Sequence, residues 1–240
     1  MTYFVKKYLK WIILGIFIFV FANVVHALLN EKLYGFDSAV YSFIISFKSS
    51  FFTFLFLFIS FMASPPTLVI VSLLLFVIFK NKKYGLLSFC NLIFIVLLNQ
   101  GLKLFFSRER PFEWMIVHEN GFSFPSGHAM VSSAFYGIVI YLIWKTNISN
   151  KRKIILTSVL GTLILLIGIS RIYLGVHYAS DVIAGFTLSL SYVIIATSLI
   201  DYYLSKRKKA SWAFLFCFLI ISMIYNFANF FNCIVIFSSI

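Results

Sequence analysis

Three short polar islands carry the side chains able to do chemistry in an otherwise apolar chain. The first runs Lys103-Leu104-Phe105-Phe106-Ser107-Arg108-Glu109-Arg110-Pro111, the second is Pro125-Ser126-Gly127-His128, and the third is Ser170-Arg171 with His177 and Asp181. If the islands converge, three cations, two histidines, one carboxylate and a Ser-Gly turn make a phosphate-handling site. Phosphoryl transfer is mostly positioning plus stabilisation of charge, and fixed cations supply both. His177 and Asp181 are four apart and share a face of any helix they lie on. A carboxylate beside an imidazole fixes its tautomer and leaves the other nitrogen free to attack, although such pairs also serve structure alone. Proline followed by serine is a good helix start, and a helix N-terminus with glycine presents free N–H groups to an anion. Many helices begin this way, and a lone Lys103 near a helix end would simply snorkel.

The elements that must position these groups are membrane spans. Of the 240 residues, 62% are hydrophobic and 11% charged, with a mean hydropathy of +1.00, which places the chain outside the soluble globular range. Apolar stretches long enough to cross a bilayer fall near 11–29, 51–79, 84–105, 129–144, 154–170, 182–204 and 212–238. The expected fold is therefore all-α: a polytopic membrane helix bundle of six core spans plus a seventh at the C-terminus. Three regions follow: residues 1–83 with two spans and an outer interfacial segment, residues 84–204 with the islands, and residues 205–240 with a basic turn and the last span. The net charge of +13 does not point to nucleic acid, because the cations sit in short clusters between apolar runs.

Those clusters orient the bundle. Fourteen of the twenty cations fall at residues 6–10, 80–83, 145–153 and 206–209, all on one side if the spans alternate. The positive-inside rule makes that side cytoplasmic. The N-terminus is then inside, the three islands are extracytoplasmic, and the C-terminus is outside. Trp11, Trp144 and Trp212 each adjoin a cytoplasmic cluster, as an interfacial belt requires. Residues 30–50, flanked by Asp37 and Lys48, read as an outer connection with a short interfacial helix. Ser64-Pro65-Pro66 removes two helix donors within the second apolar stretch and predicts a kink or break there. Cys90, Cys217 and Cys233 show neither metal spacing nor a disulfide framework and read as packing residues.

In order and internal spacing, the islands resemble the three signatures of the type 2 phosphatidic acid phosphatase family. These are Lys103, six residues and Arg110-Pro111; Pro125-Ser126-Gly127-His128; and Ser170-Arg171, five residues, His177, three residues and Asp181. The flanks, Arg110-Pro111-Phe112 and Gly121-Phe122-Ser123-Phe124-Pro125, look most like bacterial PgpB-type lipid phosphatases. The resemblance covers roughly residues 85–204 and implies haloperoxidase-like catalytic helices. It implies His177 as the nucleophile that forms a phosphohistidine, Asp181 as its orienting partner, and His128 as the acid that protonates the leaving oxygen and then activates water. Lys103, Arg110 and Arg171 would hold the nonbridging oxygens with Ser126 and Gly127. No carboxylate cluster suits a divalent ion, since Asp181 is committed to His177, so neither metal nor cofactor is expected. A site at headgroup depth favours lipid phosphates: undecaprenyl diphosphate, phosphatidylglycerol phosphate or phosphatidate. The motifs leave open a phosphotransferase that passes phosphate to a second lipid. A transporter would instead spread polar residues through several spans at mid-depth.

Overall fold

The enclosed element is α6 (Gly127–Trp144), which opens with the Ser126-Gly127-His128 island and has twelve buried residues. Its Ala, Ser and Gly side chains let neighbouring helices approach, as membrane helix packing requires where lipid tails are as apolar as leucine. Ser133 Oγ meets Ser189 Oγ on α8 (Ala179–Ser205), and Gly185 of α8 lies so near the start of α6 that a Cβ there would stand 3.0 Å from the Ser126 carbonyl oxygen. The computed structural model describes residues 2–79 and 82–205, and every regular element among them is helical. Residues 1–194 cluster as one compact unit and 195–240 as another; the site lies in the first.

In chain order, α1 (Thr2–Leu29) is followed by α2 (Tyr34–Ile45), α3 (Ser50–Phe61), α4 (Pro65–Ile78) and α5 (Lys82–Phe106). A connection with one 3₁₀ turn (Phe112–Trp114) leads to α6, and α7 (Asn150–Tyr173) and α8 complete the described chain. Helix α5 packs on α4 and α6, while α7 packs on α6, α3 and α2. Much of the apolar surface faces outward: Phe19, Phe54, Leu97 and Val77 are all well exposed. That is the expected surface of helices solvated by lipid, and it identifies a multi-pass membrane protein.

Five described helices are long and apolar enough to cross a bilayer, or six if α2 and α3, bent by 118° relative to each other, form one broken span. The stretch 51–79 is not one span. It divides at Met62–Ser64 into helices of 12 and 14 residues. Ser64 is extended (φ −68°, ψ 149°), and the two prolines occupy the first turn of α4, where a missing N–H leaves no hydrogen bond unmade. Ser49 ends the α2–α3 bend by accepting from Phe52 N at 3.2 Å. The basic turn 206–209, Trp212, Cys217, Cys233 and the seventh span 212–238 lie outside the described residues.

Candidate active site

His177 sits in the short α7–α8 connection, whose shape is fixed by Gly175 and by the outer loop. Gly175 has φ +69°, and a Cβ there would fall 1.8 Å from the Trp114 carbonyl oxygen, so only glycine fits. Ile116 N donates to Leu174 O at 2.9 Å, pinning the 107–126 connection against this turn. The turn then carries His177 into the protein, where its side chain is almost fully buried.

The two ring nitrogens of His177 have different surroundings. Nδ1 is 3.2 Å from Ser123 Oγ and 3.5 Å from Asp181 Oδ2; the second distance is too long for a good direct hydrogen bond. Ser123 Oγ donates to Asp181 Oδ2, so its hydroxyl stands between imidazole and carboxylate. Asp181 Oδ2 also accepts from Tyr178 N at 2.9 Å. With its proton at Nδ1, His177 turns a bare Nε2 toward Arg110, whose Nη1 lies 3.3 Å away. Burial first, then the charges of Arg171, Arg110 and Lys103, hold the His177 pKa well below the ordinary histidine value, which favours the neutral ring.

The cations gather around that nitrogen from three elements. Lys103, in the last turn of α5, donates to Phe122 O. Arg110 donates from Nε to Gly121 O at 2.9 Å and from Nη1 to Val176 O at 2.8 Å and Glu119 Oε2 at 2.9 Å. Its burial pulls its pKa below the usual arginine value, with Glu119 and Asp181 opposing. Arg171, in the last turn of α7, reaches Ser60 Oγ of α3 and the same Glu119 Oε2. Two buried polar atoms of this region, Arg171 Nε and Ser126 Oγ, lack partners, as do Ser72 Oγ, Asn91 Oδ1 and Ser132 Oγ elsewhere among the described residues. An incoming tetrahedral oxyanion is the kind of group that would satisfy the first two.

All eight residues singled out in the sequence fall in this region. Lys103, Arg110, Gly127, His128 and His177 line one cavity of about 840 Å³. Asp181 stands behind His177, and Arg171 and Ser126 are buried beside them. Besides Arg108, which lies in the first island without an assigned role, three further groups bonded to these residues were not identified from sequence. Ser123 was visible only as a flank of the second island. Glu119 looked like an ordinary charge in a long loop. Asp37, expected to flank an interfacial stretch, is instead 0% exposed and paired with Arg108. Among the described residues, no group of three His, Cys, Asp or Glu side chains is placed to hold a metal ion.

Known proteins place the chain in a class. The profile of the PAP2 superfamily matches residues 84–205, just over half of the 240. The chain belongs to the PAP2 superfamily. Phosphatidylglycerophosphatase B of Bacillus subtilis is 43% identical over 95 residues, a match spanning 39% of this chain and 47% of that protein's length. An undecaprenyl-diphosphatase of Sulfolobus acidocaldarius is 26% identical over 189 residues, covering 76% of this chain and 87% of the relative. Among solved structures, the transmembrane PAP2-type phosphatidylglycerolphosphate phosphatase of B. subtilis superposes with a TM-score of 0.67 at 28% identity, over 85% of this chain and all of that one. Aquifex aeolicus LpxE shares the fold, with a TM-score of 0.52 at 22% identity over 67% of this chain and 93% of that one.

Proposed function

We propose that this protein is a membrane lipid phosphatase that hydrolyses a lipid phosphate monoester or diphosphate at the extracytoplasmic face. Candidate substrates are phosphatidylglycerol phosphate, undecaprenyl diphosphate and phosphatidate, the first two in keeping with the names of the relatives. The observation that supports this reading best is the cavity's two-ended character. At one end are Lys103, Arg110, His128 and His177; at the other, Leu68 and Val69 of α4 face Phe89, Leu92, Ile93 and Val96 of α5. A water-soluble ester would fill the first end and leave the second empty. A phosphate on an apolar tail fills both.

The geometry supports the following reaction. Nε2 of His177 attacks phosphorus in line while Arg110, Arg171, Lys103 and the free N–H groups at the start of α6 hold the nonbridging oxygens. The P–O bond to the lipid breaks, and His128 gives its proton to the departing oxygen. The new P–N bond leaves a phosphohistidine whose ring, still protonated at Nδ1, is cationic and is stabilised by Asp181 through Ser123. Neutral His128 then takes a proton from water, the resulting oxygen attacks phosphorus, the P–N bond breaks, and inorganic phosphate leaves. Three cations supply the charge stabilisation that Mg²⁺ provides in other phosphoryl-transfer sites.

Purified protein assayed on the three lipids and on glycerol phosphate tests this. Phosphate should appear from at least one lipid and at under a hundredth of that rate from glycerol phosphate, and the lipid activity should survive excess EDTA. Equal rates on the soluble ester would remove the case for a lipid substrate, and loss to EDTA with rescue by Mg²⁺ would overturn the metal-free mechanism.

A further inference from the structure

One ion-paired group near the site takes no part in the mechanism above. Asp37, on α2, is fully buried 143 residues before its partner Ser180, from which it accepts two bonds: Ser180 N to Oδ1 and Ser180 Oγ to Oδ2, each 2.8 Å. Arg108 joins the pair. Its Nη2 reaches Asp37 Oδ2 at 2.8 Å, while its Nη1 reaches Asp181 Oδ1 at 2.6 Å and Ser180 Oγ at 2.8 Å. The guanidinium lies 3.9 Å from the centre of the Tyr178 ring, which fixes its plane. Burial weighs against the Arg108 charge, but Asp181 and Asp37 outweigh it and hold its pKa above the ordinary arginine value. A buried cation between two buried carboxylates is costly to form and strongly destabilising to break. It marks a site where a charge is wanted.

We infer that Arg108 and Asp37 are positioning residues of the reaction: Arg108 fixes the orientation and charge of Asp181, and Asp37 fixes Arg108, so that helix α2 is tied to the nucleophile. Both oxygens of Asp181 are thereby committed, Oδ1 to Arg108 and Oδ2 to Ser123 and Tyr178 N. The carboxylate cannot rotate away from His177. The Arg108 charge beside it favours the ionised carboxylate, the form that stabilises a cationic ring through Ser123. Asp37 offsets that cation, so the field felt at His177 is set by the pair and not by Arg108 alone. The other charged and titratable groups facing His177 are Lys103 of α5, Arg110 of the loop, His128 of α6, Arg171 of α7 and Asp181 of α8, with Glu119 behind the arginines.

The signs make this testable, on the premise that His177 is the nucleophile. Arg108→Gln removes a positive charge and should raise the acid limb of kcat/KM; Asp37→Asn removes a negative charge and should lower it. Each shift should be roughly half a pH unit or more. Each single variant should lose at least about tenfold in kcat with KM little changed. The double variant should return the limb to near its wild-type position. Arg108→Lys, which keeps the charge and gives up the two-pronged geometry, should lose kcat with the limb unmoved, and it decides the matter where a single variant does not fold. A limb that stays put in Arg108→Gln and Asp37→Asn, or moves in Arg108→Lys, overturns the inference. The same displacements should appear in a ¹⁵N-histidine NMR titration of His177, which needs no turnover. That readout separates failure of this inference from failure of the phosphatase reading, for which absence of a trapped phosphohistidine in wild type is the sign.

Discussion

Arg110 and Arg171 share one oxygen of Glu119: Arg110 Nη1 lies 2.9 Å from Oε2, and Arg171 Nη2 reaches the same atom. These two guanidinium groups are among those proposed to receive phosphate, and a carboxylate spanning them would imitate one edge of that ligand. Glu119 is 30% exposed and belongs to a loop, so it can yield the position.

Glu119→Gln should therefore strengthen phosphate binding. The expected outcome is a fall of roughly three- to tenfold in the inhibition constant for inorganic phosphate, with a larger phosphate-induced rise in Tm than in wild type. Weaker phosphate inhibition would mean that Glu119 assists the substrate instead of standing in for it.

The two histidines should separate by leaving group. His177→Ala should reduce turnover to background on every substrate while the protein still inserts and folds. His128→Ala should cost roughly 10²–10⁴-fold on phosphatidate, where an alkoxide leaves, and distinctly less on undecaprenyl diphosphate, where a phosphate leaves. Equal losses on the two lipids would place the leaving-group proton elsewhere.

The depressed pKa of His177 has a sign that stability measurements can read. The unfolded chain takes up a proton near pH 6.5 that the folded His177 refuses. Stability from this group is thus fully present above about pH 6.5 and falls as pH drops through that value toward the folded pKa. Wild type should lose detergent-resistant stability on acidification more steeply than His177→Gln, and the acid limb of its kcat/KM should lie below about 6.5. Matching stability profiles for the two proteins would show that the buried ring is not held neutral.

Gly175→Ala tests the turn that presents His177. The positive φ and the neighbouring Trp114 carbonyl together predict roughly 2 kcal/mol or more of destabilisation. A loss of kcat should accompany it at temperatures where the variant is still folded, since the Trp114–Met115 backbone must move and carries the loop with it. Thermal unfolding of the detergent-solubilised protein, run beside kinetics well below the transition, measures both.

Much of this architecture is legible in the sequence because membrane helices must bury their own backbone polarity, which leaves long apolar runs between charged connections. The eight candidate site residues stood out because the order and spacing of their islands match the three family signatures, none of them being distinctive alone. The break at Ser64-Pro65-Pro66 could be foreseen, but the division of 51–79 into two short helices could not, because it depends on tertiary packing. Asp37 carried no assigned role because nothing local distinguishes a carboxylate flanking an interfacial stretch from one buried against an arginine 71 residues away. Glu119 and Ser123 were hidden for the same reason. Their partners, Arg171 and His177, lie beyond the reach of any periodicity.

Four of the side chains in and behind the candidate site, Arg108, Arg110, Glu119 and Ser123, belong to the single connection between α5 and α6. Arg110 and Ser123 near its ends are buried and bonded, while Phe112, Glu113 and His118 between them are exposed. Such a division lets heredity experiment cheaply. Insertions or exchanges at the exposed positions can alter which headgroup is admitted while the buried ends keep the chemistry intact, so a lineage can change its lipid diet without rebuilding the bundle beneath.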